Sequence, residues 1–299
     1  MNPAHQGKTL LGIAFLVAAT ACFAVLDTTV KVVGAFASIL VVVWFRYLFQ
    51  AVAMAGLVLP FRGRRLLHTR HLGLHLLRGA LLYTVSTLSF LSVQFMPVGE
   101  FTAIIMTTPL VVMLLAAVWL KERVTPLRWL LVGGGFVGAL LVVRPGSQVL
   151  GWASLLPLLM VLCYAVFQIL TSRMTRTEDP MTMHFYTGCV GAGLATVLVP
   201  LAWTGLPNGH TLALLCLAGL MGTVGHFLLI QAFARAPAST LSPFLYVQIG
   251  FALLCGWWVF DHVPGWLETT GVLLIVVCGV AASVLASRAA STHQAPSEV

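Results

Sequence analysis

Charge is what this chain has least of. Of its 299 residues, 8% are Asp, Glu, Lys or Arg, and the acidic ones number eight. Soluble domains carry about 25% charged residues, so no water-facing surface can be built from this chain. Long polar stretches are missing as well: the segments between apolar runs stay below about a dozen residues, which excludes a separate soluble domain. No His-Glu-x-x-His, paired-aspartate or serine–histidine cluster is present, which argues against an intramembrane enzyme. The glycine run Gly133-Gly134-Gly135 lacks the lysine and hydroxyl residue of a phosphate cradle, so no ATP-binding unit is expected. Cys22, Cys163, Cys189, Cys216, Cys255 and Cys278 all fall inside apolar runs. They have neither metal-site spacing nor the loop positions of a disulfide framework, and read as packing or lipid-phase residues. No metal or other cofactor is expected.

What is abundant is apolar sequence, at 60% of the chain. A hydrocarbon core about 30 Å thick takes about 20 apolar residues per helix. Ten such segments can be marked: Leu10–Val33, Ile39–Leu59, Leu72–Phe95, Phe101–Leu120, Leu127–Val143, Trp152–Thr171, Met181–Trp203, Leu212–Phe233, Leu241–Phe260 and Trp266–Ala286. The alternating pattern of a barrel is absent, and lipid leaves backbone groups no partner outside a helix. The fold class is therefore an all-α integral membrane protein of ten transmembrane helices. Met1–Lys8 leads straight into the first run and offers no small-residue cleavage site, so that run is expected to be a retained span.

The formal net charge of +8 would suggest nucleic acid in a soluble protein. Here the basic residues sit at helix ends, where anionic headgroups meet them, so the expected partner is the bilayer and not nucleic acid. With the N-terminus in the cytoplasm, Lys8, Arg62, Arg64, Arg65, Arg70, Lys121, Arg123, Arg128, Arg173, Arg176, Arg235 and Arg288 fall on inner connections, and Arg144 alone on outer ones. That bias puts both termini inside.

The two halves resemble each other. Cys22-Phe23-Ala24-Val25-Leu26-Asp27 matches Cys163-Tyr164-Ala165-Val166-Phe167-Gln168, 141 positions on, and Met96-Pro97-Val98 matches Ala236-Pro237-Ala238, 140 positions on. Five spans per half is an odd number, so the second copy inserts upside down. Inverted repeats of this kind build two-sided access around a midplane site in secondary transporters. The expected units are 1–146 and 147–288, each a five-helix repeat, with 289–299 as a polar cytoplasmic tail.

Several local patterns resemble the ten-helix EamA-type branch of the drug/metabolite transporter superfamily. They are Asp27 through Lys31, Trp44-Phe45-Arg46-Tyr47, Met96-Pro97 with Pro109-Leu110, and Leu120-Lys121-Glu122-Arg123-Val124-Thr125. The second half adds Arg235-Ala236-Pro237-Ala238 and Pro243-Phe244-Leu245-Tyr246-Val247-Gln248. Where the family often has Gly-Glu after the ninth span this chain has Asp261-His262, and Ile249 stands where a proline often follows Gln248. The resemblance implies two inverted five-helix halves around a central cavity and a transporter of small metabolites, without naming the solute.

Charges inside a span cost at least ~2.5–3.5 kcal/mol at the helix centre and call for a partner or a wet cavity. Asp27 and Lys31 stand four apart on one helix face, and Arg46 lies at a depth similar to Asp27, so two ion pairs are open. Either pair would serve as a structural pin or as a charge network on the solute path. Glu100 reads as a carboxylate at a helix N-terminus, and Glu122 as an interfacial salt bridge with Lys121 or Arg123. Trp44, Tyr47, Tyr83, Gln94, Tyr164, Gln168, Tyr186, His226, Gln231, Tyr246 and Gln248 are candidates for a cavity lining, since a solute site wants aromatic walls and a few fixed polar groups. Gln168 ranks first as the repeat partner of Asp27. Gly138, Gly188, Gly191 and Gly193 join the glycine run as faces for tight helix approach. Pro109 breaks the helix bond pattern mid-span, as a bend serving the cavity or as a kink whose freed carbonyl Thr107 or Thr108 satisfies.

The expected function is secondary transport of a small organic solute such as an amino acid, nucleoside derivative or vitamin, by a monomer or homodimer in a bacterial inner membrane. A small-multidrug exporter or lipid-carrier flippase on the same scaffold is the alternative.

Overall fold

In the computed structural model the backbone is described for residues 3–96, 98–144, 152–203, 205, 207–261 and 263–292. Within these, side chains are described except at 3–6, 64, 65, 90, 93, 98–100 and 286–292. The expected Glu100 carboxylate and His262 thus lie outside the described side chains.

Among the described residues ten helices follow one another, nine of them long and apolar enough to cross a membrane. They are α1 (Pro3–Val33), α2 (Ile39–Ala53, continued through a wide turn at Met54–Val58 and Leu59–Arg62), α3 (Leu72–Phe95) and α4 (Val98–Ile105 and Thr108–Trp119). Then come α5 (Pro126–Val143), α6 (Leu155–Met174), α7 (Pro180–Leu198), α8 (Gly209–Phe233), α9 (Ala238–Leu241, Ser242–Tyr246 and Val247–Phe260) and α10 (Trp266–Thr292). Starts are set by capping chemistry. The Asp179 carboxylate accepts from the amides of Met181 and Thr182, the Asn208 side chain accepts from Thr211, and Thr125 accepts from Arg128. Pro126 and Pro180 stand at first helical positions, where no amide is needed.

The break in α4 is a satisfied kink. Pro109 cannot bond the Ile105 carbonyl, and the Thr108 hydroxyl donates to it instead at 2.6 Å, while Thr107 serves Ile104 at 2.7 Å. The threonine reading of that proline therefore holds.

Helices of one half pack mainly on helices of the other. α1 lies against α8 and α9, and the matching α6 lies against α3 and α4. α2 packs on α8 as α7 packs on α3, while α2–α7, α4–α9 and α5–α10 pair across the middle. Exchanging the two halves maps this set of contacts onto itself, as a twofold axis in the membrane plane requires. Lys121 and Asp261, 140 positions apart after α4 and α9, even share a left-handed backbone at φ 54° and 55°.

Small residues let these pairs close. Gly138 and Gly271 bring α5 and α10 together so tightly that a Cβ on either would strike the other's carbonyl. A Cβ at Gly191 would collide with the Tyr47 ring, and one at Gly188 would press on Gln50 and the Ala51 backbone. Gly193 is different from the expectation: it is exposed with no neighbour near its Cβ direction, so it makes no close approach.

The end of the bundle carrying most basic residues is tied across both halves. Arg62 meets Asp179 at 2.8 Å, Tyr186 donates to the Leu67 carbonyl, and Glu178 accepts from the Arg70 amide at 3.3 Å. Glu178 also meets His75 Nε2 at 3.3 Å. Burial works against the Glu178 charge, but its bonds to His75, Thr69 and the Arg70 amide outweigh that and hold its carboxyl below the usual glutamate range.

Glu122 corrects an expectation. It forms no salt bridge with Lys121 or Arg123. Its carboxylate reaches across to α9, accepting from the amides of Ser239 at 2.9 Å and Ala238 at 3.3 Å. It supplies acceptors to a helix start whose N-cap position is Pro237. Replacing Glu122 with Gln keeps the shape and loses the charge, so it is expected to cost about 1–2 kcal/mol and lower the thermal unfolding midpoint in detergent. Lys121→Gln, which breaks no bond to Glu122, is expected to leave the midpoint unchanged.

Candidate functional site

Asp27 has the wrong exposure for its face. The residues three, four, seven and eleven positions before it, Ala24, Phe23, Thr20 and Leu16, are buried, and the exposed stripe of α1 (Leu10, Leu11, Ala14, Ala18) lies on the other side. Asp27 nevertheless is exposed. A residue on the interior face of a helix that still meets solvent marks a hollow inside the bundle, opening away from the tied basic end.

Four further helices bring polar groups to that hollow. Gln248 on α9 donates its amide to Asp27 Oδ2 at 2.9 Å. Arg46 on α2 donates to Ser86 Oγ on α3 at 2.6 Å and lies over its neighbour Tyr47, 4.4 Å from the ring centroid. Gly222 on α8 leaves room for the arginine stem, which would otherwise lie 3.1 Å from a Cβ there. The Tyr47 hydroxyl sits 3.1 Å from the same Ser86 Oγ, and its ring faces Tyr83 at 6.2 Å. Tyr164 on α6, half-buried, stacks on Phe167 at 6.0 Å.

Neither anticipated ion pair forms. Among the described residues no Lys or Arg nitrogen lies within 4.0 Å of Asp27. Lys31 instead places its ammonium 4.4 Å above the Phe260 ring at the rim, and Arg46 couples to Asp27 only through space. A carboxylate and a guanidinium thus face one hollow without touching.

The structure gathers Asp27, Arg46, Tyr47, Tyr83, Tyr164 and Gln248, and sends the other candidates elsewhere. Trp44 bonds Thr196 at 2.9 Å and packs on Trp203, fastening α2 to α7. Tyr246 is buried against Gly135 in the α4–α5–α9–α10 core. Tyr186 and Gln231 belong to the basic end, where Gln231 bonds Arg235. Gln94 is exposed near the end of α3. His226 is enclosed between Phe23, at 4.8 Å, and Phe167, at 6.1 Å. Gln168 is fully buried, and neither of its amide atoms has a partner. Two open clefts, about 330 Å³ beside Trp257, Trp258 and Asp261 and about 240 Å³ between Ser172 and Pro237, lie at opposite ends of the bundle.

Sequence reasoning missed Arg78. It is 1% exposed, donates to Thr171 Oγ1 at 2.8 Å, to the Met183 carbonyl at 3.1 Å and to Thr187, and lies over Phe167 at 4.6 Å. The signal was there, as a single cation seven positions into the apolar run from Leu72. Beside it, Gln50 donates to the His184 carbonyl at 2.9 Å. Phe167 separates this enclosed group from the hollow. Among the described residues no cluster of His, Cys, Asp and Glu could hold a metal ion.

The EamA-like transporter family model matches the chain twice, over residues 10–144 and 151–285. A riboflavin transporter of Rhizobium johnstonii is 34% identical over 60% of this chain and 60% of its own length. A riboflavin transporter of Vibrio cholerae is 30% identical over 72% of each. An S-adenosylmethionine uptake transporter of Rickettsia prowazekii is 25% identical over 90% of this chain and 91% of that one. A solved crystal structure shares the fold with a TM-score of 0.77 at 16% identity, covering 94% of this chain and 98% of the other.

Proposed function

The chain belongs to the EamA-like transporter family, a multi-pass membrane protein, and from that membership we propose that it carries a ring-bearing, vitamin-type metabolite by alternating access. The observation that supports this reading is the opposite state of two repeat-equivalent residues. Asp27 on α1 opens into the hollow, while Gln168, its counterpart on α6, is sealed. In this reading one side of the bundle is open and the other shut, and rocking one half against the other exchanges the two residues. A gradient or counter-solute drives the cycle in this reading.

Lysine and arginine at the tied end put that end, and both termini, in the cytoplasm of a bacterial inner membrane. The hollow then faces outward, which suits uptake. Tyr83 and Tyr164, both half-buried, offer flat walls to a planar ring, with fully buried Tyr47 backing Arg46 and with Asp27, Arg46 and Gln248 fixing the ring's polar edge. The relatives named for riboflavin and S-adenosylmethionine both handle such rings. The test is counterflow: purified protein in liposomes preloaded with riboflavin should accumulate labelled riboflavin transiently above equilibrium. Liposomes that move lipid headgroups instead, with no flavin or nucleoside counterflow, would sink the proposal.

A further inference from the structure

The charges facing the hollow balance to zero. α1 supplies Asp27, α2 supplies Arg46, and the groups contributed by α3, α6 and α9 are neutral: Tyr83, Ser86, Tyr164 and Gln248. One turn further out, Lys31 lies over Phe260, and the exposed Asp261 follows Phe260 in the chain, so the rim also carries one charge of each sign. From α8 the nearest titratable group is His226, enclosed behind Phe23 and Phe167.

The two inner charges are left partly unspent. Asp27 has one named donor, Gln248, although a carboxylate accepts at about four lone-pair sites. Arg46 has five N–H donors, and among the described residues its hydrogen-bond partner is Ser86. Because the two do not touch, something that offers a donor to Asp27 beside an acceptor for Arg46 would satisfy both at once. A solute with a net charge would leave that charge uncompensated in a site that is itself neutral and walled by protein, which is costly.

Resting on the transport reading, we propose that the hollow selects by net charge: it takes an uncharged, ring-bearing solute whose polar edge sets a hydrogen-bond donor next to an acceptor, and it rejects the same ring carrying a phosphate and ring solutes with a net positive charge. This separates the two solute types for which the relatives are named. An imide-edged flavin fits, and a net-cationic sulfonium nucleoside does not.

The experiment measures binding of three probes to the purified protein in detergent: riboflavin, its 5′-phosphate and S-adenosylmethionine. Wild type should bind riboflavin at least about 10-fold more tightly than either charged probe, a free-energy gap available to one unmatched charge. Asp27→Asn makes the hollow net positive and should shift the phosphate-to-riboflavin affinity ratio at least about 10-fold toward the phosphate. Arg46→Gln makes it net negative and should shift the ratio toward S-adenosylmethionine. A purely structural role for either residue would weaken all probes alike without moving the ratios. The double variant Asp27→Asn/Arg46→Gln restores neutrality and should restore the wild-type order. If one single variant aggregates, the other decides. Unchanged ratios in a soluble variant, with riboflavin counterflow intact in wild type, would overturn charge selection and leave the transport reading standing. Failure of wild type to bind any of the three would overturn both.

Discussion

Asp27→Ala is expected to lower solute transport at least about 30-fold, a loss of ~2 kcal/mol, with protein level and helical content unchanged. The size follows from what the carboxylate does in the proposed site. Asp27 lies on the interior face of α1, away from the lipid stripe, so removing it opens no seam to lipid. It packs against no charge, and its one named bond is to Gln248 across the hollow. Alanine therefore removes a charge-assisted acceptor worth about 1.5–3 kcal/mol and leaves Arg46 as an unmatched cation. Gln248→Ala should cost less, about 5–10-fold, because the carboxylate keeps its lone pairs for the solute. If Gln248 acts by aiming Asp27, the double variant should be no worse than Asp27→Ala alone. Transport at the wild-type rate in Asp27→Ala liposomes would remove the carboxylate from the proposed path.

The fold was legible because lipid leaves the chain few choices. Ten apolar runs had to be ten helices, and the errors are confined to ends: α2 runs on to Arg62 and α6 to Met174, since caps and side chains beyond the apolar run decide where a helix stops. The duplication was legible for a similar reason: Asp27 and Gln168, and Pro97 and Pro237, stand 141 and 140 positions apart, a nearly constant offset that no folding information is needed to see. Partnership was not legible. Spacing put Lys31 on the same face as Asp27, yet the ammonium found the Phe260 ring, and Asp27 found an amide 221 positions away. Glu122 looked paired with its own neighbours and instead serves amides on α9. Pairing across helices depends on rotation and tilt, which a single sequence does not encode locally. Symmetry of sequence also concealed a difference in surroundings: Gln168 was expected beside Asp27 in one hollow, and it is fully buried instead.

Arg78 should respond oppositely to two substitutions. Its guanidinium ties α3 to α6 through Thr171 and to α7 through Thr187 and the Met183 carbonyl, with its plane over Phe167. Among the described residues no carboxylate lies within 4.0 Å of it, and Nη2 has no partner. Bonds from a charged donor are worth about 1.5–3 kcal/mol each, while burying an ion costs several kcal/mol, so the two terms nearly cancel. Volume then decides. Arg78→Ala leaves a hole beneath Phe167 and is expected to cost about 3 kcal/mol or more, lowering the unfolding midpoint by several degrees. Arg78→Met fills most of that space without a charge to desolvate, and its midpoint should stay near wild type. The tie itself is lost in both, because methionine cannot bond Thr171 or Thr187. Amide exchange in the basic-end halves of α3, α6 and α7 should therefore quicken in Arg78→Met despite its unchanged midpoint. A methionine variant as destabilised as the alanine one would mean the hydrogen bonds outweigh desolvation. Unaltered exchange would mean that apolar packing, and not the guanidinium, holds that end shut.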